Sequence, residues 1–377
     1  MDGFKKSVFL LAIVTIATGL STSLFSIYLN NLGISLTNIG LIFAVGLILA
    51  SAMRLFLGTV VDDFGKKALL SVSILGFSFF AFGLIFAKDV SHFIILKLFF
   101  DFSNVFFWTV YTAHFLDVIK KGKEGSGFGY RNSIFYAASA FAPVSAGLLA
   151  NWLGFKLLFA TSAIISLLGF VLAISIKEKV RVRKFDFKFV QKHFSEIFKI
   201  KGIKQIVFGV VLIDFLFTFW VIYMPIWLSQ NGFSLNAIGA LISGYILLSA
   251  ILQNSIGKAI DKHSIKQIVF PGISLILLGG LFFFAAKQFI SLLISRMTLS
   301  VGGDMAYWPF CAKLARNAKK ESHGSASAFV FGLSGIFSGV AAVFGGWLVQ
   351  RFGIQEVLIA ALFLSLLLIP LLFRRPQ

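Results

Sequence analysis

The chain has 377 residues, of which 58% are hydrophobic, only 13% are charged and 47 are phenylalanine. A water-soluble fold of this length has too little interior to bury so much apolar surface, so the composition excludes an ordinary soluble domain and indicates a membrane protein. The formal net charge of +19 is also compatible with nucleic-acid binding. The positions of the basic residues show whether the charge serves nucleic-acid binding or sets the orientation of the protein in a membrane.

Apolar residues occur in long stretches along the whole chain. No charged residue lies between Ser7 and Met53, and a helix needs about 20 apolar residues to cross the hydrocarbon core. The first stretch follows Lys5 and Lys6 but lacks a small-residue cleavage site, so we expect a retained helix rather than a signal peptide. The sequence predicts twelve membrane-spanning helices, approximately at residues 7–29, 36–60, 68–87, 90–116, 127–150, 156–176, 203–228, 236–257, 266–286, 288–312, 324–349 and 354–373.

The basic residues follow the loops on one side of these spans. Most of the 34 Lys and Arg residues lie in the termini and the even-numbered loops, whereas the odd-numbered loops contain Lys88, Lys156, Lys287 and Arg351. Basic loops stay on the cytoplasmic side of a membrane, so this asymmetry predicts cytoplasmic termini for a multi-pass protein of the plasma or inner membrane. The basic excess is therefore explained by topology and by contact with lipid head groups, and no nucleic-acid partner is expected.

The second half of the chain repeats the first at a constant offset of 199 residues, the offset between Gly58 and Gly257. Further pairs with this offset are Asp62 and Asp261, Gly33 and Gly232, Gly125 and Gly324, and Gly147 and Gly346. Such an offset predicts two copies of one structural unit. We therefore expect an all-α membrane protein with two pseudo-symmetric six-helix bundles, at residues 1–176 and 203–377, joined by a linker at residues 177–202.

The linker region is strongly basic and contains interleaved phenylalanines. Residues 177–204 include ten Lys or Arg and five Phe. This pattern is typical of a segment that lies on the inner leaflet and joins the two halves.

A dense hydrophilic turn follows the second span and contains Gly58, Asp62, Gly65, Lys66 and Lys67. The pattern resembles the loop motif between the second and third helices of the major facilitator superfamily (MFS), except that Asp63 stands where the family carries a basic residue. Together with the two six-span halves and the basic linker, this resemblance covers the whole chain. It implies a secondary transporter whose two halves rock about a site near the middle of the membrane.

The second copy of the motif keeps Gly257, Asp261 and Lys262. The resemblance implies that Asp62 faces the start of the eleventh span near Gly324, and that Asp261 faces the start of the fifth span near Gly125. An aspartate can stabilise the positive end of a helix in this way and hold the two halves together on the cytoplasmic side. Alternatively, the cluster serves only as a topology signal.

Polar residues lie on one face of the fourth and tenth spans. The fourth contains Lys97, Asp101, Asn104, Trp108 and Tyr111 at spacings of 4, 3, 4 and 3. The tenth contains Arg296, Ser300, Asp304, Tyr307 and Cys311 at spacings of 4, 4, 3 and 4. An ionisable group at this depth costs about 2.5–3.5 kcal/mol on insertion scales, so these groups are expected to face a watery cavity or one another.

Three acids lie deep within predicted spans, namely Asp101, Asp214 and Asp304. Lys97 is one helical turn from Asp101 and Arg296 is two turns from Asp304, so each acid either forms a buried ion pair that only stabilises packing or exchanges a proton during transport. Asp214 has no basic neighbour deep in its own span and is the preferred proton carrier. The resemblance implies that spans one, four, seven and ten line the central cavity, and these three acids lie on that set.

Small residues are dense in the fifth and eleventh spans. Ala138, Ala142, Pro143 and Gly147 follow a spacing that weakly resembles the Gly-Pro motif of drug-exporting family members. In the eleventh span, Gly335 and Gly339 are also four residues apart. Small residues at this spacing indicate close helix packing, with or without a role in export.

Signatures of enzymes are absent from the sequence. It contains no phosphate-binding loop with Lys and Ser or Thr, no His-x-x-x-His metal pair and no nucleophile elbow, and Cys311 is the single cysteine. We therefore expect no enzymatic activity, no cofactor and no bound metal. The energy for transport is then expected to come from a gradient of protons or Na⁺, or from that of the substrate itself.

These observations predict a monomeric transporter in a lipid bilayer that couples protons to the export of small amphiphilic or cationic organic molecules. The alternative is a proton-coupled importer of sugars or organic anions, in which Lys97 and Arg296 bind the substrate. Lys97 and Arg296 distinguish these two functions. If both are free, the cavity favours anionic substrates. If they are paired with Asp101 and Asp304, it favours cationic substrates.

Overall fold

A computed structural model describes residues 3–60, 66–119, 124–176, 197–318 and 323–373, and the secondary structure in these ranges is helical, without strands. The first half contains α1 (Gly3–Thr22), α2 (Phe25–Asn31), α3 (Leu36–Val60), α4 (Lys66–Gly83), α5 (Val90–Val118) and α6 (Glu124–Ile174). The second half contains α7 (Ile203–Gln230), α8 (Leu235–Lys262), α9 (Ile265–Ala285), α10 (Phe289–Asn317), α11 (His323–Phe352), α12 (Ile354–Leu364), a 3₁₀ turn (Ser365–Leu367) and α13 (Leu368–Phe373).

Helix boundaries repeat between the halves because the turn residues repeat. Gly33 and Gly232 adopt φ values of 76° and 82° after α2 and α7, and Gly154 and Gly353 adopt 79° and 95°. Only glycine enters this left-handed region without strain, so the same turn is specified twice at the offset of 199 residues. In the second half, the Ser234 hydroxyl accepts a hydrogen bond from the Ala237 amide at 3.3 Å and begins α8.

Ten helical segments in the described ranges are long and apolar enough to cross a membrane. The longest helix, α6, has 51 residues, but its backbone leaves the helical conformation at Gly154. At 1.5 Å per residue a straight helix of that length would extend about 75 Å, more than twice the thickness of the hydrocarbon core.

Helix α10 is not among the ten segments, since it is the least apolar of the long helices and carries Arg296 and Asp304. The all-helical membrane fold is confirmed, and the count of twelve spans stays a prediction.

The two halves meet along two helix pairs, α3 with α11 and α6 with α8. At the offset of 199 residues, α3 corresponds to α8 and the first part of α6 to α11, so the two interfaces are equivalent in the repeat. The contacts are equivalent too. The backbone of Gly40 lies against the Ala342 carbonyl, and the backbone of Gly239 lies against the Pro143 carbonyl. At each position a Cβ atom would collide with the opposing helix, so glycine permits the close approach.

These close contacts lie toward one end of the bundle. We call it the glycine-turn end, after the turns at Gly33, Gly154, Gly232 and Gly353, and we call the opposite end, which contains Gly3, Lys66 and Lys262, the basic end. At the glycine-turn end, Gln230 donates a hydrogen bond to Asn30 at 3.1 Å, and the Leu36 amide donates one to Gln350 at 3.0 Å. The structure is thus closed between the halves at the glycine-turn end, whereas nearer the basic end a cavity lies between α6 and α8.

Candidate functional site

A central cavity of about 210 Å³ lies between the two halves. Helices α3 and α5 line it from the first half, and α7, α10 and α11 line it from the second. Its polar and charged lining residues are Ser51, Arg54, Asp101, Asn104, Asp214, Tyr307, Ser334 and Ser338. Four of the eight residues predicted for the substrate cavity therefore meet in one place: Asp101, Asn104, Asp214 and Tyr307.

Asp101 lines this cavity and forms an ion pair with Lys97. The Lys97 ammonium donates to both carboxylate oxygens at 2.5 Å, and the two side chains are each only 6% exposed. The ammonium also lies 5.3 Å from the ring centres of Phe43 and Phe100. Gly46 of α3 has no side chain to hold the carboxylate away, since a Cβ there would overlap Asp101. The first half thus contains a buried ion pair whose charge is balanced locally.

Asp214 has a different environment. The Ser334 hydroxyl of α11 donates a hydrogen bond to its carboxylate, and the Tyr307 hydroxyl of α10 is a second hydrogen-bonding neighbour. Thr218 bonds to the Asp214 backbone carbonyl at 2.7 Å and leaves the carboxylate free for these contacts. No ion pair within the described ranges includes Asp214. This acid therefore faces the cavity with neutral partners, as its isolated position in the sequence predicts.

Arg54 and Ser334 belong to the cavity but were not predicted from the sequence as site residues. Arg54 lies on α3 close to the Tyr307 hydroxyl. In the sequence, Arg54 could be noticed as a charged residue inside an otherwise apolar span, four residues before Gly58. Ser334 has no such signal, because serine is common in membrane helices and only the packing of α7 against α11 brings it to Asp214.

Arg296 and Asp304 do not form an ion pair at salt-bridge distance in the described chain. The Arg296 guanidinium lies over the Tyr245 ring, 3.8 Å from its centre, and the side chain is only 2% exposed. Its Nε and Nη1 atoms have no hydrogen-bond partner. Asp304 accepts a hydrogen bond from Trp308 at 3.3 Å, with Ser249 close by. Neither residue lines the central cavity, so the two bases differ: Lys97 is paired, whereas Arg296 retains unused donors.

Trp108 is also outside the central cavity. Its ring packs edge-on against Phe135 of α6, with the centroids 5.3 Å apart. The Arg131 guanidinium lies 5.7 Å from the same ring and 5.5 Å from that of Tyr111. This part of the predicted polar face of α5 therefore consists of aromatic rings packed around an arginine of α6.

A second cavity of about 820 Å³ lies between α6 and α8 toward the basic end. Gly129, Asn132 and Tyr136 line it from α6, and Asn254 and Asp261 line it from α8. The α6 and α8 pair that touches at Pro143 and Gly239 is thus separated near its other end.

The predicted gate motif is partly described. Gly58 lies in the last turn of α3, whereas Asp62 and Gly65 lie outside the described residues. Lys66 forms an ion pair with Asp117 of α5 at 2.5 Å, and Lys67 follows in the first turn of α4.

In the second copy of the motif, Asp261 forms an ion pair with Arg316 of α10 at 2.8 Å. This contact lies within the second half rather than between the halves. Lys262 ends α8 and is exposed, and no other group lies within 4 Å of where a Gly257 side chain would begin.

The small residues predicted for packing lie at the interfaces between the halves. Gly335 faces Ser51 and Gly339 faces Ile48, both on α3. Gly147 lies against the backbone of Leu235, next to the contact made by the Pro143 carbonyl. These positions bring the helices of the two halves to backbone distance.

Two similar halves of apolar helices around a cavity with buried charges define a polytopic membrane protein of the transporter class. The model of the Major Facilitator Superfamily matches residues 8–236 and, again, residues 206–377. The chain therefore belongs to this family, which confirms the resemblance found at Gly58 and its neighbours. It is a transporter and not an enzyme.

Known proteins resemble the chain over nearly its whole length. An uncharacterised MFS-type transporter of Methanocaldococcus jannaschii is 23% identical over 375 residues, with 95% of both chains covered. Multidrug resistance protein 1 of Bacillus subtilis is 24% identical over 365 residues, covering 90% of this chain and 88% of that protein. The structure of the nucleoside transporter NupG superposes with a TM-score of 0.82 at 13% identity, with 100% of both chains covered. At such identity the structural likeness shows the fold alone.

Proposed function

We propose that this transporter couples proton uptake to the export of small amphiphilic or cationic organic molecules across the plasma or inner membrane. In this proposal the basic end faces the cytoplasm, so the present conformation is open toward the inside. The similarity to a multidrug resistance protein of Bacillus subtilis supports export. The basic loops support the orientation, because positive charge is retained on the cytoplasmic side. In this proposal the protein acts as a monomer.

The observation that carries the proposal is the environment of Asp214. It is a carboxylate at the boundary of the two halves, in a cavity, with hydroxyl partners and without an ion-pair partner in the described chain. A carboxyl group in that position can take up a proton without breaking an ion pair. Asp101 is less suited, because protonating it would leave the buried Lys97 ammonium unpaired.

Proton binding at Asp214 can be linked to movement of the halves through α11. Ser334 binds the carboxylate, and the next residue, Gly335, packs against Ser51 of α3 in the other half. Neutral Asp214 is cheaper to bury than the charged form, so protonation favours a state in which the cavity closes around it. Release of the proton on the other side would restore the charge, which the Ser334 hydroxyl stabilises by donating a hydrogen bond.

A second function is favoured by a different observation. Arg296 has two nitrogen atoms without partners, and Arg54 lines the central cavity. These groups would suit a substrate with a carboxylate or phosphate, as in a proton-coupled importer of organic anions. Lys97 is less available for this role because it is bound to Asp101.

The test is transport by the purified protein in liposomes that contain a pH-sensitive dye. Lipophilic cations, sugars and organic anions are supplied in turn, with Na⁺ replaced by choline in parallel. We expect a lipophilic cation to move against the proton flux without a need for Na⁺, and Asp214→Asn to abolish this coupling. Glu356→Gln, at an exposed acid in the first turn of α12, serves as the control and should retain it. Protons that move together with an anion, with loss on Arg296→Gln, would instead establish the importer.

A further inference from the structure

An apolar groove runs along the outside of the second half, between α7 and α11. It encloses about 650 Å³ and is lined almost wholly by apolar atoms. On α7 the lining extends from Ile203 to Phe215, and α11 contributes Phe329, Leu333 and Phe337. Thirteen residues of helix correspond to about 20 Å. The groove therefore reaches from the basic end to near the middle of a hydrocarbon core that is about 30 Å thick.

The groove faces lipid rather than the interior of the protein. Phe208 is 45% exposed and Phe337 is 46% exposed, although both side chains are aromatic and line the groove. In a membrane such side chains contact acyl chains. An occupant of this groove therefore comes from one leaflet of the bilayer, and its length has to match that of one leaflet.

The mouth of the groove is positively charged. Lys204 lines it, Lys199 and Lys201 precede it in the chain, and Lys313 of α10 binds Gln205 in the first turn of α7 at 2.5 Å. No ion pair in the described part of the chain includes any of these four lysines. Among the described residues, the cluster therefore has no carboxylate at ion-pair distance.

The equivalent position of the first half contains a contact between two aromatic rings. Phe4 of α1 contacts Tyr130 of α6 there, with the ring centroids 6.1 Å apart. Their counterparts at the offset of 199 residues are Ile203 and Phe329, and both line the groove. The residue pair at this position therefore differs between the halves.

We propose that this groove binds an anionic phospholipid, with one acyl chain between α7 and α11 and the head group on the lysine cluster at the basic end. The groove supplies the length and the apolar surface for one chain of one leaflet. The lysines supply the attraction for a phosphate, as basic clusters between membrane helices do at the cytoplasmic surface. The proposal does not depend on which cargo is transported.

Native mass spectrometry of the intact chain in detergent tests this site, with phosphatidylglycerol and phosphatidylcholine of identical acyl chains as probes. We expect phosphatidylglycerol to be retained more strongly. Val211→Trp, which fills the groove, should reduce that retention about tenfold, because a filled groove no longer accepts the chain. Val221→Trp is the matched control on α7, since Val221 is 58% exposed and lies outside the groove.

The head group is tested separately with Lys204→Gln. One lysine near an anionic head group has an effect of about fivefold on binding, so phosphatidylglycerol retention should fall by that factor. Lys5→Gln, at the equivalent position of the first half, should leave retention unchanged. Equal retention of the two lipids, or equal effects of Val211→Trp and Val221→Trp, would show only unspecific lipid around the protein and overturn the proposal.

Discussion

At the scale of single residues, the protein contains two kinds of ion pair with opposite consequences. Lys97 and Asp101 are buried within the bundle, whereas Asp261 and Arg316 are 75% and 55% exposed at its basic end. An exposed pair is already solvated, so its net contribution to stability is small. Removing one partner of a buried pair leaves a charge without compensation.

The Lys97 and Asp101 pair therefore predicts a strong coupling in a double-mutant cycle. We expect Lys97→Met alone to lower the free energy of unfolding by about 3–5 kcal/mol, because it leaves Asp101 uncompensated. Lys97→Met combined with Asp101→Leu should recover most of this loss. Arg316→Gln should cost under about 1 kcal/mol as the exposed control. Unfolding in detergent gives these values, and additive effects of the two single changes would contradict the pairing.

At the same scale, the neutral partners of Asp214 support the proposal that this acid, rather than Asp101 or Asp304, carries the proton. The sequence predicted this from the absence of a base deep in its span. The structure adds Ser334 and Tyr307, which come from α11 and α10. Partners from distant helices leave no pattern in the sequence around Asp214, so they could not be predicted from it.

At the scale of helices, the interface between α3 and α11 depends on glycine. A side chain at Gly339 would collide with Ile48 and with the Ala44 carbonyl of α3. Sequence spacing indicated close packing at Gly335 and Gly339, but it could not identify the partner helix. Only the tertiary structure shows that the partner belongs to the other half, so that these glycines permit contact between halves rather than within one.

Gly339→Leu should therefore impair transport without unfolding the protein. Overpacking costs about 1–3 kcal/mol, and each 1.4 kcal/mol changes an equilibrium between conformations about tenfold. We expect transport in liposomes to fall by about tenfold or more, whereas the elution volume of the purified protein stays normal. Val340→Leu, at a neighbouring side chain that is 45% exposed, is the control. Normal transport by Gly339→Leu would exclude a need for this close approach.

At the scale of the whole molecule, the two equivalent interfaces provide the geometry for alternating access. Both are closed toward the glycine-turn end, and a cavity lies between α6 and α8 toward the basic end. Rocking of the halves would exchange the open and closed ends. The single cysteine provides a native reporter, because Cys311 lies on α10 next to Tyr307 and is only partly buried.

A membrane-impermeant maleimide should therefore label Cys311 from the side that faces the basic end. We expect labelling from that side to slow when a transported substrate fills the cavity, and Cys311→Ser to remove the signal. Mass spectrometry of vesicles of known orientation measures the reaction. Faster labelling from the glycine-turn side would mean that the resting conformation in a membrane is the opposite one.

The sequence by itself determined the class of the protein. Its apolar content, the offset of 199 residues and the motif around Gly58 were sufficient for the all-helical membrane fold and the family, because burial in lipid and helix periodicity act along the chain. It also identified Asp101 and Asp214 as ionisable groups at a depth where charge is costly. These properties depend on residue type and position alone.

The tertiary structure decided which of the intramembrane charges are paired and which of them share a cavity. Lys97 pairs with Asp101 because four residues place them on one helical face, whereas eight residues separate Arg296 from Asp304 and Tyr245 of another helix stacks on the arginine instead. Arg54 and Ser334 joined the site only through the packing of α3, α7 and α11. Contacts between helices depend on how the helices are placed in space. The spacing of residues along a single sequence does not show which helices become neighbours.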